Sequence, residues 1–287
     1  MSEQPESNSA KWNLIIDVAK SAHGNNAILA AKDEYVGNEF PGYSAPAPAV
    51  GGDLFTLTRK VRGETPVIDA AYLLKTCNHC DAGPCQKVGG DAVIKRPDGI
   101  TIIDPVKAKG RKDIAKACPY GSIIWNEELQ LPQIWTFDAH LLDKGWSQPR
   151  CVESCPRGAI EAVKIPDADM QRRAEAEGLE VLEPQLGTKP RVYYRNLYLY
   201  EKCFIGGTVI GMAGGVEDCV GGAAVKLFRN AEQVAETTTD EFGEFKIDNL
   251  EPDSGAHRVD VSHPEFGAGS ASVDLKDSAY LGEIKLA

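Results

Sequence analysis

Four cysteines constrain this chain more than anything else in it. Three fall in one short run, Cys77-Asn78-His79-Cys80-Asp81-Ala82-Gly83-Pro84-Cys85, and the fourth, Cys118, stands far downstream in front of Pro119. Three thiolates in a tight loop plus a distant Cys-Pro is the ligand pattern of a cubane iron–sulfur cluster, whose fourth ligand habitually comes from another run. Two blander patterns compete. A zinc ribbon needs a second close pair, and Cys118 has no near partner. A Cys80–Cys77 redox pair, or a set of inert thiols, has no use for Cys85 and the Cys-Pro. The cluster reading requires a fold that brings the 77–85 loop and Cys118 together.

The chain has 287 residues, 43% of them hydrophobic, enough for one large or two ordinary domains. A net charge of −11 makes nucleic acid and anionic membranes poor partners. The opening residues, MSEQPESNSAKWN, are polar, with no apolar stretch and no twin arginine, so no export signal is read. No run approaches the roughly 18 apolar residues of a membrane span. Eight cysteines then fit metal ligation in a reducing compartment better than disulfides, and a cytoplasmic location is expected.

A worn repeat surrounds the cysteines. Leu14–Lys20 and Ile100–Lys107 each carry a short apolar run leading into Asp-x-x-Lys. In ferredoxin-like chains such a strand enters a C-x2-C-x2-C-x3-C loop. That spacing falls on Ser21, Gly24, Ala27 and Ala31 after the first copy, and on Ala108, Arg111, Ile114 and Cys118 after the second. The Cys77 run would end on Gly89, and a last frame gives Trp135, Asp138, Cys151 and Cys155. Crosswise pairing leaves one complete thiol set, Cys77, Cys80, Cys85 and Cys118. One [4Fe–4S] cluster is expected where the scaffold has room for four.

The pattern resembles the four-cluster ferredoxin-like subunits of the molybdopterin oxidoreductases. Within them it is most similar to the small iron–sulfur subunits of the pyrogallol–phloroglucinol transhydroxylase and resorcinol hydroxylase type. The resemblance runs from about Lys11 to Ala287. It is most specific at Asn38–Tyr43, Asp104–Gly110, Cys118–Gly121, Trp125–Glu128, Ala139–Asp143 and Leu186–Tyr194. It implies a non-catalytic subunit with no catalytic residues of its own. Its partner would be a large catalytic subunit carrying bis-molybdopterin guanine dinucleotide with molybdenum or tungsten, which hydroxylates or transhydroxylates phenolic aromatics. The two chains would form a heterodimer or an assembly of heterodimers. The alternative is an electron-transfer subunit of another molybdopterin oxidoreductase. The family pattern keeps three clusters, and the sulfur missing at Ser21, Gly24, Ala27, Ala31, Trp135 and Asp138 removes two of them. The surviving cluster is then either a structural cross-link or a working redox centre.

The fold class expected is α+β: a ferredoxin-like iron–sulfur core followed by an all-β sandwich similar to transthyretin-like or carboxypeptidase-regulatory-like domains. The domains read as a disordered tail over 1–10, the core over 11–182, an extended strap over 183–202 and the sandwich over 203–287. The Pro/Gly/Ala-rich stretch Pro41–Gly52 reads as an extended loop on a partner-facing surface. Asp167 is expected to cap a helix ending before Gly178. The tyrosine-rich strap packs either on the core or on the large subunit. About seven short strands are expected after Glu201. Cys151 and Cys155 read as packed relics, and Cys203 and Cys219 as free thiols. His79 either tunes the cluster, faces solvent or bonds to backbone, while His23 and His140 lie beside vacated slots. Arg111 and Asp138 either pair or reach solvent, and Trp135 fills space that iron and sulfide would take.

Overall fold

A computed structural model describes residues 9–287, so most of the tail expected over 1–10 lies outside the described residues. The chain is mixed α and β with more strand than helix, arranged as two units. One comprises residues 9–58 and Tyr72–Leu197; the other comprises Arg59–Ala71 and Tyr198–Ala287.

The first unit is organised by β1 (Lys11–Asp17), whose Leu14, Ile15 and Ile16 are fully buried. Such a β-branched run, covered on both faces, belongs in the middle of a sheet. Helix α1 (Asn25–Tyr35) follows and buries Ala27, Ala30, Ala31 and Tyr35 along one helical stripe. Strands β2 (Phe55–Glu64) and β3 (Val67–Thr76) form a hairpin that the sequence did not single out, and its far part, 59–71, belongs to the second unit. β3 runs straight into Cys77. Short helix α2 (Pro84–Gly89) and the hairpin of β4 (Val93–Lys95) with β5 (Thr101–Ile103) come next. Helix α3 (Lys112–Lys116) precedes Cys118, and β6 (Ile124–Asn126) pairs with β7 (Leu131–Gln133). After α4 (Ala139–Leu142) and α5 (Arg150–Glu153), β8 (Ile160–Ile165) lies antiparallel to β1. On the other edge of β1 lies β9 (Val192–Arg195), in parallel register from Leu14 with Val192 to Asp17 with Arg195.

Two expectations change here. Helix α6 (Asp167–Glu177) ends at Gly178 in the left-handed conformation, as expected, but Pro166 precedes it and Asp167 makes no capping bond. The Asp167 carboxylate instead takes Lys11 Nζ at 2.5 Å and Arg191 at 3.0 Å, because two cations attract it more strongly than a backbone N–H. The strap is extended at β9 but not throughout: it begins with a 3-10 turn at Pro184–Leu186 and ends in the short helix α7 (Tyr198–Glu201). Its Tyr194 is fully buried and donates to Leu74 O at 3.1 Å, so this part packs on the first unit's own core. Within Pro41–Gly52, Ser44, Ala45 and Ala47 are buried, and Gln133 Nε2 donates to Ala45 O at 2.8 Å.

The second unit has two four-stranded sheets around one hydrophobic core. The first sheet contains β10 (Cys203–Ala213), β11 (Val216–Cys219), β14 (Glu244–Leu250) and β17 (Ala279–Lys285). The second runs β13 (Glu232–Thr238), β12 (Ala224–Arg229), β15 (Gly255–His263), β16 (Gly267–Leu275). Val225 and Leu227 on β12 and Val259 and Val261 on β15 are buried at a period of two, as strands with one face inward require. Strand β11 was not expected. Its Val216-Glu217-Asp218-Cys219 is exposed throughout and has no apolar alternation. Its signal was the turn: Gly214 and Gly215 both hold positive φ, 61° and 86°, as a tight hairpin demands.

Candidate metal centre

The loop after β3 curls back because its backbone is zipped to the segment before β9. Arg191 N donates to Asn78 O at 2.8 Å, Asp81 N to Lys189 O at 2.9 Å, and Ala82 N to Thr188 O at 2.9 Å. His79, between Asn78 and Cys80, holds a positive φ of 44°. Gly83 is closely packed: an added Cβ would sit 3.3 Å from both Cys80 Cβ and Cys85 Sγ, so these neighbours would have to give slightly. On the far side, Tyr120 in Cys118-Pro119-Tyr120 brings its hydroxyl within 2.6 Å of Thr188 Oγ1. Residues 188–191 thus hold both cysteine segments.

Cys77, Cys80, Cys85 and Cys118 ring one apolar chamber, closed by Pro84, Pro119, Ile103, Ile123 and Ile134. Among the described residues, no three Cys, His, Asp or Glu side chains converge closely enough to hold a single metal ion. The four thiols surround a space instead of meeting at a point, which suits a polynuclear group better than zinc. As free thiols, Cys77, Cys80 and Cys85 resist ionisation. Burial pushes Cys80 up to about 11 and raises Cys77 and Cys85, and the neighbouring thiols add to this. Ligation needs thiolates, so these donors suit a strongly cationic iron group that offsets burial.

Cations flank the loop. Lys95 Nζ lies 2.9 Å from Asp81 and donates to His79 O at 2.6 Å. Arg191, 5% exposed, binds Asp81 and Asp167. Neither residue was singled out by spacing, since each acts from a separate segment.

His79 does not face solvent. It is 1% exposed, its Nδ1 accepts from Thr101 N at 3.1 Å, and its ring meets Trp135 and Phe137 edge-on. Burial lowers its pKa to about 3, with Lys95 and Arg191 adding to the effect.

The vacated slots hold side chains that fill or bond. Trp135 is 1% exposed and stacks on Phe137 at 4.8 Å. Asp138 is buried; its Oδ1 accepts from Tyr35 Oη at 2.8 Å and Trp135 Nε1 at 2.9 Å, and its Oδ2 from Arg150 N at 2.8 Å. Arg111 does not meet it and instead pairs with Asp113 at the surface. Ala108 and Ile114 join Ala92, Val93, Ile103, Ile123 and Ile134 in a hydrophobic cluster against Cys77, Cys85 and Cys118. Ser21 Oγ donates to Asp17 O at 2.7 Å. Cys151 is buried in α5, and Cys155 Sγ accepts from Ala159 N at 3.2 Å. Cys203 is buried and Cys219 exposed, both as free thiols. His140 is buried, stacks on Phe40 at 3.7 Å and meets Glu34 Oε1 at 2.8 Å. The side chain of His23 lies outside the described residues. No helix among the described residues is long and apolar enough to cross a membrane.

Residues 68–165 match the 4Fe-4S dicluster domain family. Over 279 residues the chain is 40% identical to the pyrogallol hydroxytransferase small subunit of Pelobacter acidigallici, covering 96% of this chain and 99% of that protein. It is 37% identical over 130 residues to a subunit of the tetrathionate reductase of Salmonella typhimurium, covering 44% of this chain and 52% of that one. It is 32% identical over 142 residues to a subunit of the sulfite dehydrogenase of Allochromatium vinosum, covering 46% and 59%. The chain spans little more than half the length of these last two. The matched family is named for two clusters, and the match contains six cysteines, of which Cys77, Cys80, Cys85 and Cys118 ring the chamber.

Proposed function

We propose a function from the family to which the chain belongs, that of the pyrogallol hydroxytransferase small subunit: it is the non-catalytic iron–sulfur subunit of a heteromeric bis-pterin molybdenum or tungsten enzyme. The large partner subunit carries the pterin cofactor and the active site, and transfers or adds hydroxyl groups on phenolic aromatics. The complex works in the cytoplasm. The observation that carries this reading is the single chamber ringed by four thiols from two segments, in a chain related over its length to such a subunit.

Cys77, Cys80, Cys85 and Cys118 are its cluster ligands. A bound [4Fe–4S] cluster supplies one-electron storage and a covalent tie between the 77–85 loop and Cys118. The chain's own residues shape the rest. Lys95 and Arg191 place positive charge beside the loop, the isoleucines and prolines exclude water, and residues 188–191 hold the two segments in register. The slots at Trp135, Asp138, Ala108 and Ile114 are filled or hydrogen-bonded, which supports one cluster and no wire of several. Where the reaction moves a hydroxyl from one ring to another, it has no net redox change and needs no wire, and the cluster then serves chiefly as a cross-link. The domains follow the same reading: a ferredoxin-like iron–sulfur core to about residue 182, a strap to 202, and a transthyretin-like or carboxypeptidase-regulatory-like β-sandwich from 203.

The test is iron and acid-labile sulfide per small chain in anaerobically purified complex, together with the identity of what co-purifies. About four of each, with a large pterin-containing chain, is expected. About eight would show that Cys151 and Cys155 still help hold iron and would favour an electron-transfer subunit. A stable lone chain would sink the assignment.

A further inference from the structure

The chamber has polar lining besides its thiols. Asn78 Oδ1 and Thr101 Oγ1 are buried there without a hydrogen-bond partner among the described residues. A carbonyl oxygen accepts and has nothing to offer a sulfur, but a hydroxyl donates. Thr101 is 2% exposed, and a hydroxyl so placed needs an acceptor. Along β5, Thr101 and Ile103 sit two apart, on the same face of the strand, and both line the chamber with Cys77 and Cys118. The position is fixed from behind. Thr101 N donates to His79 Nδ1, and Thr101 pairs with Lys95 across the β4–β5 ladder. The nearby carbonyls of His79 and Gly99 are taken by Lys95 Nζ, each at 2.6 Å.

We infer that Thr101 Oγ1 donates a hydrogen bond to a sulfur of the cluster, cysteinyl or bridging. This rests on the four thiols being the cluster's ligands. Cluster sulfur gains negative charge on reduction, and hydrogen bonds to ionised acceptors are the stronger ones. The Thr101 hydroxyl therefore favours the reduced state and raises the cluster's reduction potential.

The experiment compares wild type, Thr101→Val, Thr101→Ala and Thr101→Ser in anaerobically purified complex. Iron and sulfide are assayed first. Fe–S stretching bands are then recorded by resonance Raman, and midpoint potentials by titration followed with electron paramagnetic resonance. Val and Ala are expected to lower the one-electron reduction equilibrium by about tenfold, which is about 59 mV, and to shift the Fe–S bands, with Ser restoring both. Loss of iron from Val and Ala but not from Ser also supports the hydroxyl's role. Iron-replete Val or Ala variants with wild-type bands and potential overturn the inference and leave the ligand assignment standing. Wild-type complex without iron overturns the ligand assignment, and the inference with it.

Discussion

Arg191 Nε donates to the Oδ1 of Asp81, the residue after Cys80, at 2.8 Å, across a gap of more than a hundred residues in sequence. Burial works to raise the Asp81 carboxyl, but hydrogen bonds from Arg191 and Lys95 hold it below the usual carboxylate range. Arg191 also binds Asp167 at 3.0 Å and Asn13 at 3.2 Å. One guanidinium thus joins the cysteine loop to β1 and α6.

Arg191→Met should therefore lower stability by about 3–5 kcal/mol, the usual cost of stranding a largely buried charge. The measurement is denaturant unfolding of the complex followed at the cluster's visible absorption. A cost under about 1 kcal/mol would mean that Lys95 alone satisfies Asp81.

Cys118→Ser should release iron more completely than Cys151→Ser. Cys118 lines the chamber, whereas Cys151 is packed in α5 among protein atoms. Iron per chain, measured after anaerobic desalting, decides it. Equal losses from the two variants would show that a second set of ligands is in use.

Gly89 stands where the spacing asks for a ligand, and the backbone no longer accepts one. A Cβ there would come within 2.2 Å of Val93 Cγ2 and 3.4 Å of Ile114 Cδ1. Gly89→Ala should cost about 1–3 kcal/mol through overpacking. The same clash should keep Gly89→Cys from recruiting iron. A variant with unchanged unfolding midpoint would mean that Val93 gives way freely.

The chamber was legible in the sequence because its four cysteines are spaced along short segments, and local spacing is what a sequence displays. Cys77, Cys80, Cys85 and Cys118 are the residues that the spacing singles out, and the fold brings them to one chamber. What Lys95, Arg191, Thr101 and Tyr120 do there depends on long-range pairing, to which composition and period are blind. The strands of the second unit were readable where one face is buried, as at Val225 and Leu227. Strand β11 was missed because all its residues are exposed. The 59–71 segment was missed for a different reason. Its Arg62 has a fully buried side chain, a placement that charge and spacing alone do not display.

That arginine gives the last prediction. Arg62 is held by Asp69 at 2.5 Å and by Asp248 at 2.8 Å, with Lys246 at 2.9 Å from Asp69 and 3.1 Å from Asp248. Burial works to raise the Asp69 carboxyl, but hydrogen bonds from Lys246 and Arg62 bring it down to about 2 from 3.8, and Asp248 is lowered too. A carboxylate with a depressed folded-state pKa stabilises fully above its unfolded value, and that stability is lost as pH falls through the folded one. The contribution is therefore complete at neutral pH and disappears between about pH 4 and pH 2. Arg62→Met should cost about 3–5 kcal/mol at pH 7, since it strands two carboxylates on one lysine. The gap between wild type and variant should narrow as pH falls below about 4, where both carboxylates gain protons. Unfolding midpoints of the two proteins at pH 7 and pH 3 measure it. Any acid damage to the cluster is common to both and cancels in the difference. A gap that stays constant with pH would show that Arg62 acts through packing on Phe204, 5.3 Å from its ring, and not through its charge.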